Sequence, residues 1–286
     1  MHGQRLQIGY AGRTFENVEN TSSNTPVIEF RDVAYVLPNG RELLGGLNLR
    51  VRRGETVVLL GRSGSGKTTS LKLINRLLSP SAGQVFVNSV DNGATDAIQL
   101  RRGIGYVIQE AGLFPHYSIE KNIGLVPKLK GWREDRIKQR VQEMLQLVGL
   151  ESDIASRFPH QLSGGQRQRV GVARALAADP EILLMDEPFG ALDALTRDQL
   201  QREFRALQQR LNKTVVFVTH DLREALRLGS RIALMEAGKL RLVVTPEEFM
   251  KSSDPLASAY VQAFVGDESI SVGSIKDASI KDRGVQ

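Results

Sequence analysis

Gly61-Arg62-Ser63-Gly64-Ser65-Gly66-Lys67-Thr68 follows the apolar run Thr56-Val57-Val58-Leu59-Leu60 and opens the segment Thr69 to Leu78. A short apolar run, a glycine-rich turn and a longer segment predict strand, loop and helix in that order. The three glycines let the backbone turn its amide N–H groups toward one point, and the helix behind them adds the positive end of its dipole. Such a loop cradles a polyphosphate. The match to G-x-x-x-x-G-K-S/T is complete, in the structural context that gives the pattern its meaning. Gly61, Arg62, Ser63, Gly64, Ser65, Gly66, Lys67, Thr68 and Thr69 are therefore candidate nucleotide contacts. Lys67 serves as a mobile point charge for the β- and γ-phosphates, and the Thr68 hydroxyl as a ligand to the Mg²⁺ that bridges them.

Composition limits what this loop can belong to. The 286 residues are 41% hydrophobic and 24% charged, ordinary for one large or two modest folded domains. A net charge of +6 and a sequence pI near 9.6 would suit an anionic partner, but the basic residues are scattered and not interleaved with aromatics, so no nucleic-acid role is expected. With no cysteine there is neither a disulfide nor a thiolate metal site. No stretch reaches the ~20 apolar residues needed to span a bilayer, and Met1 to Asn24 lacks a signal-peptide core. The chain is expected to stay on the side of the membrane where it is made.

Residues 1 to 25 are polar and read as a flexible arm. Strands are expected at Val27 to Phe30 and at Leu47 to Val51, on either side of a turn at Pro38-Asn39-Gly40. The helix after the glycine loop should run to Leu78, where Ser79-Pro80-Ser81-Ala82-Gly83 breaks it, and Gln84 to Asn88 should resume a strand. Ile104 to Ile108 is a further apolar run. It ends on Gln109, at the carboxyl end of a strand, where ligands of α/β sheets gather and where an amide could reach Mg²⁺ or the attacking water. Arg133 to Val148 reads as a helix with Ile137, Val141, Leu145 and Val148 on one face and Gly149 as its stop, inside a helical insertion at about 114–166.

Leu162-Ser163-Gly164-Gly165-Gln166 then opens a second helix, Arg167 to Ala178, and so a second anion-binding helix start. Glu181 to Met185 reads as a buried strand ending in Asp186-Glu187. Asp186 can hold Mg²⁺, and Glu187 can act as base toward water in line with a γ-phosphate. Thr214 to Thr219 is the last strong strand. It ends on His220, a group able to sense or donate to the γ-phosphate.

Taken together, residues 26 to 246 resemble the nucleotide-binding domain of ABC transporters, through the phosphate loop, Gln109, Leu162 to Gln166, Asp186-Glu187, Asp193 and His220. The resemblance implies an α/β P-loop NTPase fold with a β subdomain and a helical subdomain, over residues 26–266. It also implies ATP hydrolysis with Mg²⁺ held by Thr68, Gln109 and Asp186, and catalysis by Glu187 and His220. A head-to-tail dimer follows from it too, in which Ser163, Gly164 and Gly165 of one protomer close over the ATP held by Lys67 of the other, with Gln166 and Asp193 as further nucleotide-binding candidates. The aromatic that stacks on adenine in that family aligns with Leu37, leaving Tyr35, two residues earlier, as the candidate.

Within that family, Ile104 to Trp132, Met185 to Asp193 and the stretch from Thr245 to Asp267 resemble importers of quaternary-amine osmoprotectants such as glycine betaine, choline or carnitine. This implies separate transmembrane permease subunits, a substrate-binding protein that delivers the solute, and a place on the cytoplasmic face of the membrane. Many such ATPases continue into paired CBS domains. Only 19 residues follow Asp267 in the chain of 286, so none is expected, and 267–286 read as a disordered tail. Other readings are an ABC ATPase for an amino acid or lipid, one acting on nucleic acid or ribosomes, and a regulatory subunit without turnover. The 96 positions from Lys67 to Ser163 are too few for the coiled-coil insertion of repair ATPases, and intact Glu187 and His220 speak against a silent subunit.

Overall fold

The computed structural model describes residues 25–109 and 111–278. Strands β1 (Pro26–Val36) and β2 (Glu42–Arg52) pair antiparallel, and β3 (Thr56–Leu60) leads into the glycine loop and helix α1 (Lys67–Ile74). β4 (Ala82–Val87), β5 (Val90–Asp91), α2 (Ala97–Arg102) and β6 (Ile104–Val107) follow. The helical part comprises α3 (Ile119–Leu129), α4 (Glu134–Leu147) and α5 (Gly164–Leu176). The chain then alternates β7 (Ile182–Asp186), α6 (Ala194–Leu211), β8 (Thr214–Thr219), α7 (Leu222–Leu228) and β9 (Arg231–Glu236), and closes with β10 (Lys239–Val244), α8 (Pro246–Met250) and α9 (Pro255–Ala278).

Two sheets result. One is antiparallel in the order β2-β1-β4-β5; the other runs β10-β9-β3-β8-β7-β6, parallel except for its edge strand β10. The parallel strands are apolar on both faces because both are covered. In β3, Val57 and Leu59 face one core with the antiparallel sheet, while Val58 and Leu60 face the other with the helical part. β8 divides the same way, Val216 and Val218 against Val215 and Phe217. The order β3-β8-β7-β6 sets four strand ends side by side, so Gly61, His220, Glu187 and Gln109, remote in sequence, share one edge of the sheet.

Several boundaries differ from the sequence expectation. β1 runs to Val36, beyond the expected Phe30, because it pairs with both β2 and β4 and turns through Asp32 at φ 50°. α1 stops at Ile74 instead of Leu78: Asn75 caps it, its Oδ1 accepting from the Leu77 amide, and Arg76 takes the left-handed conformation. Gly149, at φ 67°, ends α4 as expected, and Val141, Leu145 and Val148 are buried on its inner face. α5 carries the helical part past Gln166 as one helix.

α9 also corrects an expectation, continuing through 267–278 where the sequence reads as an irregular tail. Its start is well made, with Pro255 in the first turn and Asp254 Oδ1 accepting from the amides of Leu256 (2.9 Å) and Ala257 (3.1 Å). No proline follows, and a helix interior tolerates a glycine such as Gly266 at about 1 kcal/mol. Residues 279–286 and, but for Thr25, the polar N-terminal arm lie outside the described residues.

Candidate active site

The glycine loop takes its shape from contacts that only glycine permits. A Cβ on Gly61 would stand 2.4 Å from the Met235 carbonyl oxygen, and Gly66, at φ 99°, would press one into Leu44 at 2.5 Å. Lys67 heads α1 directly behind, 4% exposed, its Nζ donating to the carbonyls of Gly61 (2.7 Å) and Arg62 (3.0 Å). Burial lowers its pKa, against the opposing pull of Glu187 and Asp186. The ammonium is thus held at the mouth of the loop in a place where an anion would relieve its desolvation.

Thr68 Oγ1 donates to Asp186 Oδ1 at 2.8 Å, joining the phosphate loop to the end of β7 across 118 residues. Burial raises the Asp186 carboxyl above its ordinary value; Thr68 counteracts this, and the charge of Glu187 adds to it. Tyr106, on β6, also hydrogen-bonds Asp186, and burial pushes its phenol well above the ordinary range. Sequence reading passed over this tyrosine. Its signal was a polar tip in an otherwise apolar strand three positions before Gln109.

Hard oxygen donors of this kind fit Mg²⁺, which takes one or two protein oxygens and fills its shell with phosphate and water. Among the described residues there is no cluster of three or more His, Cys, Asp or Glu that could hold a metal ion. Thr68 and Asp186 would hold the ion, with Gln109 within the same cavity.

Glu187 stands in the left-handed region at φ 43°, a strained conformation for a residue with a Cβ. Its amide donates to the Val218 carbonyl (3.0 Å), and its Oε2 lies 3.0 Å from His220 Nδ1. A Cβ built on Gly190 would lie 3.5 Å from Gln109 Nε2 and 3.8 Å from Glu187 Oε2, so both side chains border that glycine. Arg62, Ser63, Thr68, Gln109, Glu187 and His220 line one cavity of about 740 Å³. Behind His220, Thr219 Oγ1 donates to Glu224 Oε2 (2.5 Å) and accepts from the Asp221 amide (3.0 Å), while Gln201 Nε2 donates to Glu224 Oε1 (3.0 Å). This buried network fixes the turn that presents the histidine. It was not foreseen from sequence.

The remaining candidates stand apart from that cavity. Ser163 caps α5, its Oγ accepting from the Gln166 amide (3.2 Å) while Gln166 Oε1 accepts from the Ser163 amide (2.9 Å). Ser163 and Gly164 are exposed, and Gly165 packs close to Thr196. Asp193 caps α6 through the Thr196 amide (3.0 Å), which holds its carboxyl below the ordinary range. None of these lines the cavity of its own chain. Tyr35, paired opposite Leu44 on β1, is half-buried and packs on the core of the antiparallel sheet.

A parallel sheet with a phosphate loop after one strand, and an acidic pair, an amide and an imidazole at the ends of its neighbours, defines a P-loop nucleotide-binding protein. The ABC transporter family matches residues 44–190, and the chain belongs to that family. The glycine betaine/carnitine/choline transport ATP-binding protein OpuCA of Bacillus subtilis is 48% identical over 242 residues, 85% of this chain and 63% of that protein. The glycine betaine uptake system ATP-binding protein YehX of Escherichia coli is 44% identical over 262 residues, 90% and 82% of the two chains. Among solved structures, a dimeric post-hydrolysis ATP-binding cassette with ADP and Pi superposes at a TM-score of 0.70 and 34% identity, covering 77% of this chain and 98% of that one. The chain thus spans less than two thirds of OpuCA and about four fifths of YehX.

Proposed function

We propose that this chain is the ATP-hydrolysing subunit of an importer for a quaternary-amine osmoprotectant, acting from the cytoplasmic face of the membrane. The observation that carries the ATPase reading is the contact of Glu187 with His220, 3.0 Å apart, on the rim of the cavity that also holds Thr68 and Gln109. The loop amides and Lys67 bind the phosphates of ATP. Glu187 accepts a proton from the attacking water, and His220 holds that carboxylate in place while facing the γ-phosphate. Mg²⁺, when bound, neutralises the charge that develops on the phosphates; Thr68 and Asp186 are the side chains placed to hold it. Because Ser163 to Gln166 and Asp193 lie off the cavity of their own chain, they serve the site of a second copy arranged head to tail. The dimeric cassette among the structural relatives supports this arrangement.

Transport requires a membrane partner, since no helix among the described residues is long and apolar enough to cross a bilayer. A groove of about 330 Å³ beside the Gln109 turn, with Ile108, Phe114, Leu125, Val126 and Arg174 on its walls, suits a short helix of a permease subunit. Phe114 is 41% exposed, which argues against a core role, and Asn122, wholly buried, fixes its backbone through bonds to its amide (2.8 Å) and carbonyl (3.1 Å). The names of OpuCA and YehX support a betaine-type solute; a separate binding protein that delivers it is part of this proposal. The test of turnover is Glu187→Gln: ATP affinity should hold while hydrolysis falls at least about 100-fold. Hydrolysis above a tenth of the parental rate would remove Glu187 as the base. Uptake of radiolabelled glycine betaine by vesicles carrying the subunit and its permease tests the solute; uptake of sulfate instead would redirect it.

A further inference from the structure

The phosphate cavity has a wall that nucleotide binding leaves unexplained. Leu256, Ala259, Tyr260 and Ala263 line it from α9, at the i, i+3, i+4, i+7 spacing of a single helix face. α9 is held in place by Ala257, wholly buried, by Leu256, Tyr260, Val261 and Phe264 packed on the core, and by the Arg223 guanidinium over the Phe264 ring. On the cavity face Leu256 and Tyr260 are likewise half-buried, while Ala259 and Ala263 are exposed. An apolar wall therefore flanks the phosphate loop with part of its surface uncovered.

Elsewhere in the chain, Leu195 is 85% exposed, the most exposed large apolar side chain among the described residues. A single exposed leucine is commonplace. Its position is what matters. It stands in the first turn of α6, two residues after the cap Asp193, and that turn abuts the start of α5 through Thr196 and Gly165. Leu195 thus shares an edge with Ser163 and Asp193, the positions that the chain keeps away from its own phosphate cavity.

In a two-fold head-to-tail pair, the operation that brings Ser163 of one protomer to the phosphate loop of the other moves everything beside Ser163 toward everything beside that loop, and does so twice. We propose that Leu195 of one protomer packs against the α9 face of its partner, so that α9 and Leu195 form a second, apolar contact between copies alongside each ATP. The inference rests on the dimer reading above. It gives both uncovered surfaces an occupant, and burying a leucine of this exposure is worth about tenfold or more at each of the two contacts, about a hundredfold in dimer affinity.

The absence of cysteine makes a direct test possible. Leu195→Cys with Ala263→Cys, on the Glu187→Gln background that traps bound ATP, should give covalent dimers with a short bis-maleimide only when ATP and Mg²⁺ are present. Separately, Leu195→Ser on that background, which removes the leucine from both contacts of the pair, should weaken the ATP-dependent dimer about a hundredfold by sedimentation, with the fluorescent-ATP affinity of the dilute monomer and its melting temperature unchanged. If the Glu187→Gln protein dimerises with ATP but neither cross-links through these positions nor responds to Leu195→Ser, the contact is overturned and the dimer reading stands. A loss of ATP affinity in the dilute Leu195→Ser monomer also overturns it, by assigning the residue a role within its own chain. If Glu187→Gln never dimerises with ATP, the dimer reading itself fails and this contact falls with it.

Discussion

Glu224 is the buried acid on which the presentation of His220 depends, and replacing it separates a structural role from a mere surface one. Its two oxygens accept from Thr219 Oγ1 and Gln201 Nε2, and the three residues are 4%, 2% and 5% exposed in the order named. Glu224→Ala leaves two buried donors without partners, at about 1–3 kcal/mol each, or about 2–6 kcal/mol together. Removing a buried acid returns part of that, so a net loss of about 3 kcal/mol is expected. At about 2–4 °C per kcal/mol for a domain of this size, the melting temperature should fall on the order of 10 °C. ATP turnover at a temperature where the variant is folded should fall as well, because Thr219 and the Asp221 amide no longer hold the turn that carries His220.

Glu224→Gln should be far milder, since the Thr219 hydroxyl can reverse and accept from the new amide while Gln201 still finds a carbonyl oxygen. The pH dependence provides an internal check. Burial raises the Glu224 pKa, so the folded chain retains this proton to higher pH than the unfolded chain does. The site therefore costs no charge burial below the ordinary glutamate value of about 4.3, and loses stability as pH rises from there through the raised folded value. Melting curves of the parent and of Glu224→Gln, recorded from pH 4 to 8, should diverge in favour of the glutamine variant as pH rises. A Glu224→Ala protein that melts within a degree of the parent, or a glutamine variant as damaged as the alanine one, would refute the reasoning.

Three further outcomes are expected. Lys67→Ala should weaken fluorescent-ATP binding at least tenfold, since the phosphates lose their nearest cation in a dehydrated loop; unchanged affinity would leave the backbone amides as the sole anchor. Tyr106→Phe removes the hydroxyl on Asp186 and should shift the Mg²⁺ dependence of turnover about fivefold, the worth of about one hydrogen bond; an unshifted titration would make that contact incidental. Phe114→Ala should leave melting temperature and ATP affinity at parental values while copurification with the permease subunit falls, an apolar anchor of this kind being worth about 2 kcal/mol or more. A large drop in melting temperature would return Phe114 to the core of the helical part.

The chemistry was legible along the chain because its signals are local. The glycine loop with Lys67 and Thr68, the acids that end the apolar run at Asp186 and the histidine that ends Thr214 to Thr219 each declare strand, turn and polar terminus within a few residues. The helix face at Val141, Leu145 and Val148 and the stop at Gly149 were equally local, and both stand in the structure. Boundaries were less legible where a distant partner sets them: β1 runs on to Val36 because β2 and β4 pair with it, and α9 outlasts the expected end of the domain from a firm start at Asp254.

Tertiary structure alone decided which strand ends are neighbours. In a parallel sheet every pairing requires a crossover, so strand order is a long-range matter on which local patterning is silent. From that order come the bond of Thr68 to Asp186, the contact of Tyr106 with the same carboxylate, the meeting of Glu187 with His220, and the Glu224 network behind it. The same is true of what lies apart. Ser163 and Asp193 each spend a side chain capping a helix outside the phosphate cavity, while Tyr260, given no role by the sequence, stands on its wall. Residue types and their spacing determined that this chain can hold a nucleotide; the packing of α5, α6 and α9 around the sheet determined which of those residues share a cavity and which face outward.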